Sequence, residues 1–403
     1  MLSRRQFLTL SGGAAVTGAA AWAGLVREHT TSKPSASSSS SPSHSDLERV
    51  LVVVQLTGGN DALNTVIPRD GRYHDLRPTL AIPDDKLVAL TNAPTVGLHP
   101  ALQPLVPLWD AGQLAVLPQI GFAADSRSHF ESLAAWWTAS PEHRETTGWI
   151  GRWLDATDAA KDNPLAAIAL GGGSVPALRA EHSQSTAVND LASFRLMSSK
   201  AADAFEATAR PVSNEPLLAQ AQSAVTSATS AASLLAKAAA PSSADTGPIT
   251  EGLMTAATMI DMELGTRVFL VSGTGFDTHA NQAAEHEQLL DDLATGVSSF
   301  FTALDKSGRA DRVLLLTTSE FGRRAAQNGS DGSDHGHGGV HFVAGRSVRG
   351  GLHGEIDLGA LVDGDLAAAV DTRSLYAAGL DWLGGPSAEL LDGHTDTYGL
   401  LTV

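Results

Sequence analysis

Arg49-Val50-Leu51-Val52-Val53-Val54-Gln55-Leu56 is an almost unbroken apolar, β-branched run that ends in Thr57-Gly58-Gly59-Asn60-Asp61. Apolar residues at nearly every position, rather than at every second one, predict a strand buried on both faces, as in parallel sheets. The glycine-rich end predicts a polar loop at its carboxyl end. The same pattern recurs at 113–118, at 166–170 before Gly171-Gly172-Gly173, at 267–272 and at 312–318. Between these runs, apolar residues fall at helical spacing over 129–139, 253–264 and 281–306. Strands alternating with long helices predict an α/β fold, a mostly parallel central sheet with helices on both faces. Residues 190–240 are rich in Ala, Ser and Gln at helical spacing, which predicts a helical insertion over about 185–245. In such sheets ligands gather at the carboxyl ends of strands, so function is expected in the loops that follow them.

The amino terminus follows other rules. Ser3-Arg4-Arg5-Gln6-Phe7-Leu8 precedes a weakly apolar Ala/Gly/Thr stretch ending in Ala21-Trp22-Ala23. This predicts a twin-arginine export signal over 1–23 and a chain that works outside the cytoplasm, extracellular or associated with the cell envelope. Thr9, Ser11, Gly12, Gly13 and Thr17 dilute the apolar stretch, and no later segment supplies the roughly 18 unbroken apolar residues of a membrane span. Residues 24–46, dominated by Ser with Pro34 and Pro42, predict a flexible tether. The folded domain is expected over 47–403.

Composition narrows the function classes. The 403 residues include no cysteine, which excludes disulfides, cysteine-ligated zinc, iron–sulfur clusters and thiol chemistry. The 27 Lys and Arg against 44 Asp and Glu give a formal charge of -17, or -19 once Arg4 and Arg5 leave with the signal. That field repels polyanions and argues against a nucleic-acid partner. An aromatic content of 5% is thin for an all-β binding module and ordinary for an Ala-rich α/β enzyme.

Four strand-end loops and the segment after the last of them carry groups capable of chemistry. Asp61, on the Gly58-Gly59 turn, can coordinate a hard cation or cap a helix. Asp277 and His279, in Gly273-Thr274-Gly275-Phe276-Asp277-Thr278-His279, can aim oxygen and nitrogen at one ion, or serve as a cap and a surface imidazole. Ser319-Glu320-Phe321-Gly322-Arg323-Arg324 sets a carboxylate beside two guanidinium groups, a structural ion pair in its plainest reading. In Asp331-Gly332-Ser333-Asp334-His335-Gly336-His337-Gly338-Gly339-Val340-His341, glycines leave Asp334, His335 and His337 free to turn toward a common centre, which favours a metal or catalytic role. Asp125-Ser126-Arg127-Ser128-His129-Phe130 places a serine at a helix start, to cap it or to act as a nucleophile in the positive end of its dipole. His99 reads as a turn residue and Trp136-Trp137 as helix packing.

These segments together resemble domain-of-unknown-function family 1501, bacterial exported proteins within the alkaline phosphatase-like superfamily. The resemblance rests on the twin-arginine start and on five motifs in order: Leu56-Thr57-Gly58-Gly59-Asn60-Asp61-Ala62-Leu63-Asn64-Thr65, Ser126-Arg127-Ser128-His129-Phe130, Gly275-Phe276-Asp277-Thr278-His279-Ala280-Asn281-Gln282, Ser319-Glu320-Phe321-Gly322-Arg323 and Asp334-His335-Gly336-His337-Gly338. It implies an alkaline phosphatase-like fold and a two-metal superfamily pattern. In that pattern Asp61 resembles the first metal-binding Asp, Ser128, or Ser126 in its place, the nucleophile, Asp277 and His279 a ligand pair, and His335 the late His. One pair departs from it: Ser319-Glu320-Phe321-Gly322 stands where the superfamily has Ser-Asp-His-Gly, and Phe321 cannot ligate a metal. The second site is then weakened, rebuilt with Asp334 or His337, or absent.

The resemblance thus implies an exported metal-dependent hydrolase of a phosphate or sulfate ester, small or part of an envelope polymer. A transferase moving a phosphoryl-linked group would use the same residues. Asp61, Asp277, His279, Glu320, Asp334 and His335 would hold a divalent ion, zinc or manganese. Ser128 or water would attack, and Arg127 or Arg323 would grip the anion. The contrasting reading is a non-catalytic metal- or glycan-binding scaffold that has lost the hydrolytic pair.

Overall fold

Strand β1 (Val50–Thr57) divides the interior in two. Val50, Val52, Val54 and Leu56 enter one apolar core and Leu51 and Val53 enter another. Because successive side chains point to opposite faces, a strand apolar at nearly every position must lie between two cores. In this computed structural model the described residues are 49–122, 126–142, 144–161, 163–171, 175–188 and 246–402, with isolated positions between 207 and 226. The expected signal and tether, and most of the expected insertion, lie outside them.

Strands β2 (Val66–Pro68), β3 (Val88–Ala89) and β4 (Val96–Leu98) form a small antiparallel sheet. The main sheet contains β5 (Leu114–Gly121), β6 (Ala167–Leu170), β7 (Thr186–Val188), β8 (Val268–Thr274), β9 (Val313–Thr318), β10 (Gly339–Ala344), β11 (Gly351–Leu352) and β12 (Val370–Asp371) together with β1. Its order is β11-β5-β10-β9-β1-β8-β6-β7, with β12 also paired to β5. β1 lies parallel to β8 and β9, with Val53 opposite both Leu270 and Leu316. β10 runs antiparallel to β5 and β9, so it is the reversed strand among the described residues. Residues 186–188, read from sequence as the start of a helical insertion, instead add a parallel edge strand, β7, beside β6.

Helices cover both faces, as the alternation predicts. Helices α3 (Pro248–Asp261) and α4 (Gln282–Ser307) pack Leu253, Ile260, Leu290, Leu293 and Phe300 into the first core. Helices α1 (His129–Thr138), α2 (Trp149–Thr157) and α5 (Arg373–Trp382) bring Trp136, Trp149, Trp153 and Tyr376 into the second. Each such large side chain contributes about 1.5–3 kcal/mol by leaving water. Among the described residues no helix is long and apolar enough to cross a membrane.

Candidate metal centre

The strand directions decide which loops meet. β5, β9, β1 and β8 point the same way, so the segments 126–129, 319–324, 58–61 and 275–279 leave from one edge of the sheet. β10 runs the other way, and the segment 334–338 that precedes it starts from that same edge. His335 therefore joins the group because its strand is reversed.

Gly58 and Gly59 turn at φ +125° and +82°. A Cβ on Gly58 would meet the Asp277 backbone, and one on Gly59 would meet the Phe321 ring. Only glycine allows the close approach and the left-handed backbone together. The Gly58 amide then donates to Glu320 Oε1 at 2.8 Å.

Three imidazoles share one design. His129 Nδ1 lies 2.9 Å from Glu320 Oε1, His279 Nδ1 3.1 Å from Asp334 Oδ1, and His335 Nδ1 2.9 Å from the Arg127 carbonyl. A carboxylate or carbonyl oxygen can only accept, so each Nδ1 carries a proton, and a ring that is neutral then presents a lone pair at Nε2. All three Nε2 atoms turn to Asp277: those of His279 and His335 stand 3.0 Å from Oδ1, and that of His129 stands 3.4 Å from Oδ2. The His279 and His335 Nε2 atoms are themselves 3.0 Å apart. Facing lone pairs repel unless a proton or cation lies between them. Imidazoles backed at Nδ1 by an acceptor, with Nε2 converging, form the usual outer arrangement of a metal site.

The donor atoms of His129, Asp277 and His335 lie within 4.8 Å of one another, a spacing that could hold a metal ion. The fit is supported by His129 Nε2 and Glu320 Oε2, buried atoms without a hydrogen-bond partner. Burial works against ionisation of Asp277, but the hydrogen bond and the charge of Arg323 hold its carboxyl down at about 2. The Glu320 hydrogen bond raises the pKa of His129, whereas burial lowers that of His335.

Of the residues expected from sequence, Asp277, His279 and His335 come together. Asp61 does not join them. Its buried carboxylate accepts from Leu63 and Asn64 amides as a helix cap, from Arg77 Nη1 at 2.5 Å and from Gln282 Nε2. Burial raises its pKa, and the Arg77 charge outweighs this and holds it below the usual range. Glu320 and Asp334 stand one bond back, behind His129 and His279. Arg323 is buried, donating to the carbonyls of Gly58, Gly59, Phe276 and Ser333 and, at 2.6 Å, to Asp277 Oδ1, so it positions Asp277. Ser128 occupies the helix cap position of α1 without a side-chain capping bond. Arg127 is partly exposed, with Nη2 2.6 Å from Asp365 Oδ2 and Nε donating to His337 Nε2 at 3.1 Å. His337 is thereby engaged away from Asp277.

Sequence reasoning passed over His129. The signal was available, a histidine at the first position of a helix in a strand-end loop, but the serines beside it drew the reading. His99 Nδ1 accepts from the Ala101 amide at 3.1 Å and caps a turn, as expected.

The chain resembles several solved structures at low identity. The lipoteichoic acid synthase from Listeria monocytogenes is 7% identical, with 88% of this chain and 76% of that one covered and a TM-score of 0.39. A protein in the alkaline phosphatase superfamily from Vibrio parahaemolyticus is 9% identical over 87% and 69%, with a TM-score of 0.41. A sulfatase from Pseudoalteromonas sp. is 13% identical over 88% and 72%, with a TM-score of 0.39. No curated protein matches. The family model described as protein of unknown function DUF1501 matches residues 124–400, spanning four of the five site loops, and the chain belongs to that family.

Proposed function

We propose that this chain is a divalent-metal-dependent hydrolase of phosphate or sulfate esters, exported by the twin-arginine route. The observation that carries this reading is the convergence of three Nε2 atoms, each ring backed at Nδ1 by an acceptor, on the Asp277 carboxylate. His129, His279, His335 and Asp277 would hold the ion, and imidazole with carboxylate suits zinc or manganese. A bound divalent cation supplies Lewis acidity and neutralises charge that develops on the ester oxygens.

The other roles fall to side chains around this group. Ser128 keeps its hydroxyl out of the helix cap and stands at the start of α1, next to His129, where the helix dipole favours an alkoxide. Arg127, at the rim, is the guanidinium that can meet the anionic group. The formal charge of -17 works against capture of an anion, so a local cation and Arg127 must offset it. Phe321, in the place of a superfamily ligand, favours the second reading, a metal-binding scaffold without turnover.

Elemental analysis of the natively exported protein, beside a His129→Ala, Asp277→Ala variant, tests the centre. About one zinc or manganese ion per chain, lost in the variant, is expected. A screen of phosphate and sulfate esters then separates the two readings: metal-dependent turnover abolished by Asp277→Ala supports the hydrolase, and tight metal without turnover supports the scaffold. A wild-type protein that binds no ion after metal is supplied overturns both.

A further inference from the structure

We propose that Asp365, which touches none of the ligand atoms, is a positioning residue for the metal centre: it anchors Arg127 so that the Arg127 carbonyl holds the ring of His335. The inference rests on the reading of His335 as a ligand. Its starting point is the Arg127 backbone, at φ 56° in the left-handed region. A non-glycine residue adopts that region at a steric cost, so its surroundings must hold it there.

The hold comes through the side chain. The Arg127 guanidinium forms an ion pair with Asp365 Oδ2 at 2.6 Å, and its Nε donates to His337 Nε2 at 3.1 Å. Asp365 is wholly buried, and Arg324 Nε lies 3.4 Å from its other oxygen. Its backbone is pinned by paired hydrogen bonds with Val362, both 2.9 Å. The next residue ties this turn to the histidine loop, because the Leu366 carbonyl accepts from the Gly338 amide at 2.9 Å. One rigid turn thus fixes both the far side of the His335–Gly338 segment and, through a buried carboxylate, the arginine whose carbonyl receives His335 Nδ1 at 2.9 Å. Without that anchor the Arg127 backbone can relax out of the left-handed region, His335 loses its acceptor, and Nε2 is no longer kept as the lone pair facing Asp277.

The test measures zinc and cobalt(II) affinity of the full chain by chelator competition, with the visible spectrum of the cobalt form as a report on ligand arrangement. Asp365→Asn keeps the volume and removes the charge, and metal affinity is expected to fall ten- to hundredfold with a changed cobalt spectrum. Arg127→Met, which removes the same link from the other end, is expected to give the same loss, and it carries the test if Asp365→Asn does not fold. The double variant is expected to lose no more than either single one, because both break one link. Arg324→Gln removes another basic partner of Asp365 and is expected to bind metal as the wild type does. Wild-type affinity and spectrum in folded Asp365→Asn or in Arg127→Met would overturn the inference while leaving the metal centre intact. A wild-type chain that binds neither ion would overturn the metal reading and this inference with it.

Discussion

Phe321 lies against His335, with ring centroids 4.5 Å apart and planes tilted by 34°. It also meets His129, at 5.0 Å. Phe321 therefore forms an apolar wall against two of the three converging imidazoles. It is almost wholly buried and packs on the Gly59 turn.

Phe321→Ala is expected to lower the unfolding free energy of metal-free protein by about 3–5 kcal/mol, the range for emptying a buried aromatic site. Urea denaturation followed by tryptophan fluorescence measures it. A loss under 1 kcal/mol would mean that the wall collapses without consequence for the core.

Glu320→Gln tests the acceptor behind His129. The amide can present its NH₂ group to His129 Nδ1, which favours the tautomer with the proton on Nε2. Metal affinity is expected to fall ten- to hundredfold with the fold retained, as for other residues that orient a metal ligand. Isothermal titration with zinc provides the reading, and unchanged affinity would count against a ligand role for His129.

Asp61→Ala separates structure from metal binding. It leaves the buried Arg77 guanidinium without its carboxylate, which is expected to cost about 3–5 kcal/mol. Metal stoichiometry in the folded fraction is expected to stay at the wild-type value. Loss of the ion in protein that remains folded would return Asp61 to the ligand set.

His286 and His341 are fully buried, and desolvation depresses their pKa values to about 4 and about 3. Both are neutral in the folded protein above those values, whereas the unfolded chain takes up their protons near pH 6.5. Between these limits the unfolded state binds more protons. Stability is therefore expected to fall as pH drops from about 6.5 toward 4, by up to about 1.4 kcal/mol per pH unit for each histidine. His341→Gln is expected to flatten that slope by one proton, read from chemical denaturation at a series of pH values. A slope equal to that of wild type would exclude His341 as a contributor.

Much of the architecture is local in origin and was legible in the chain. The run 49–56, the strands near 267 and 312 and the helix over 281–306 follow from β-branched clusters, periodicity and glycine stops, and the structure sets their ends within a few residues of the expected ones. The loops that carry Asp277, His279 and His335 could be named for the same reason, since polar groups after buried strands have few other uses. Tertiary structure alone decided which of these groups face one another. Reversal of β10 brings His335 to the common edge, and α1 delivers His129 from across β10 and β9. Asp61 is drawn away from the centre, and Arg323 is fixed behind Asp277, because a buried charge must be paired. Asp61 finds Arg77, 16 residues along, and Arg323 finds the carbonyls of three other segments. Sequence spacing carries the identity of ionisable groups, but the partner that satisfies each one is chosen by desolvation in the folded core, where segments far apart in the chain are the only donors and acceptors within reach.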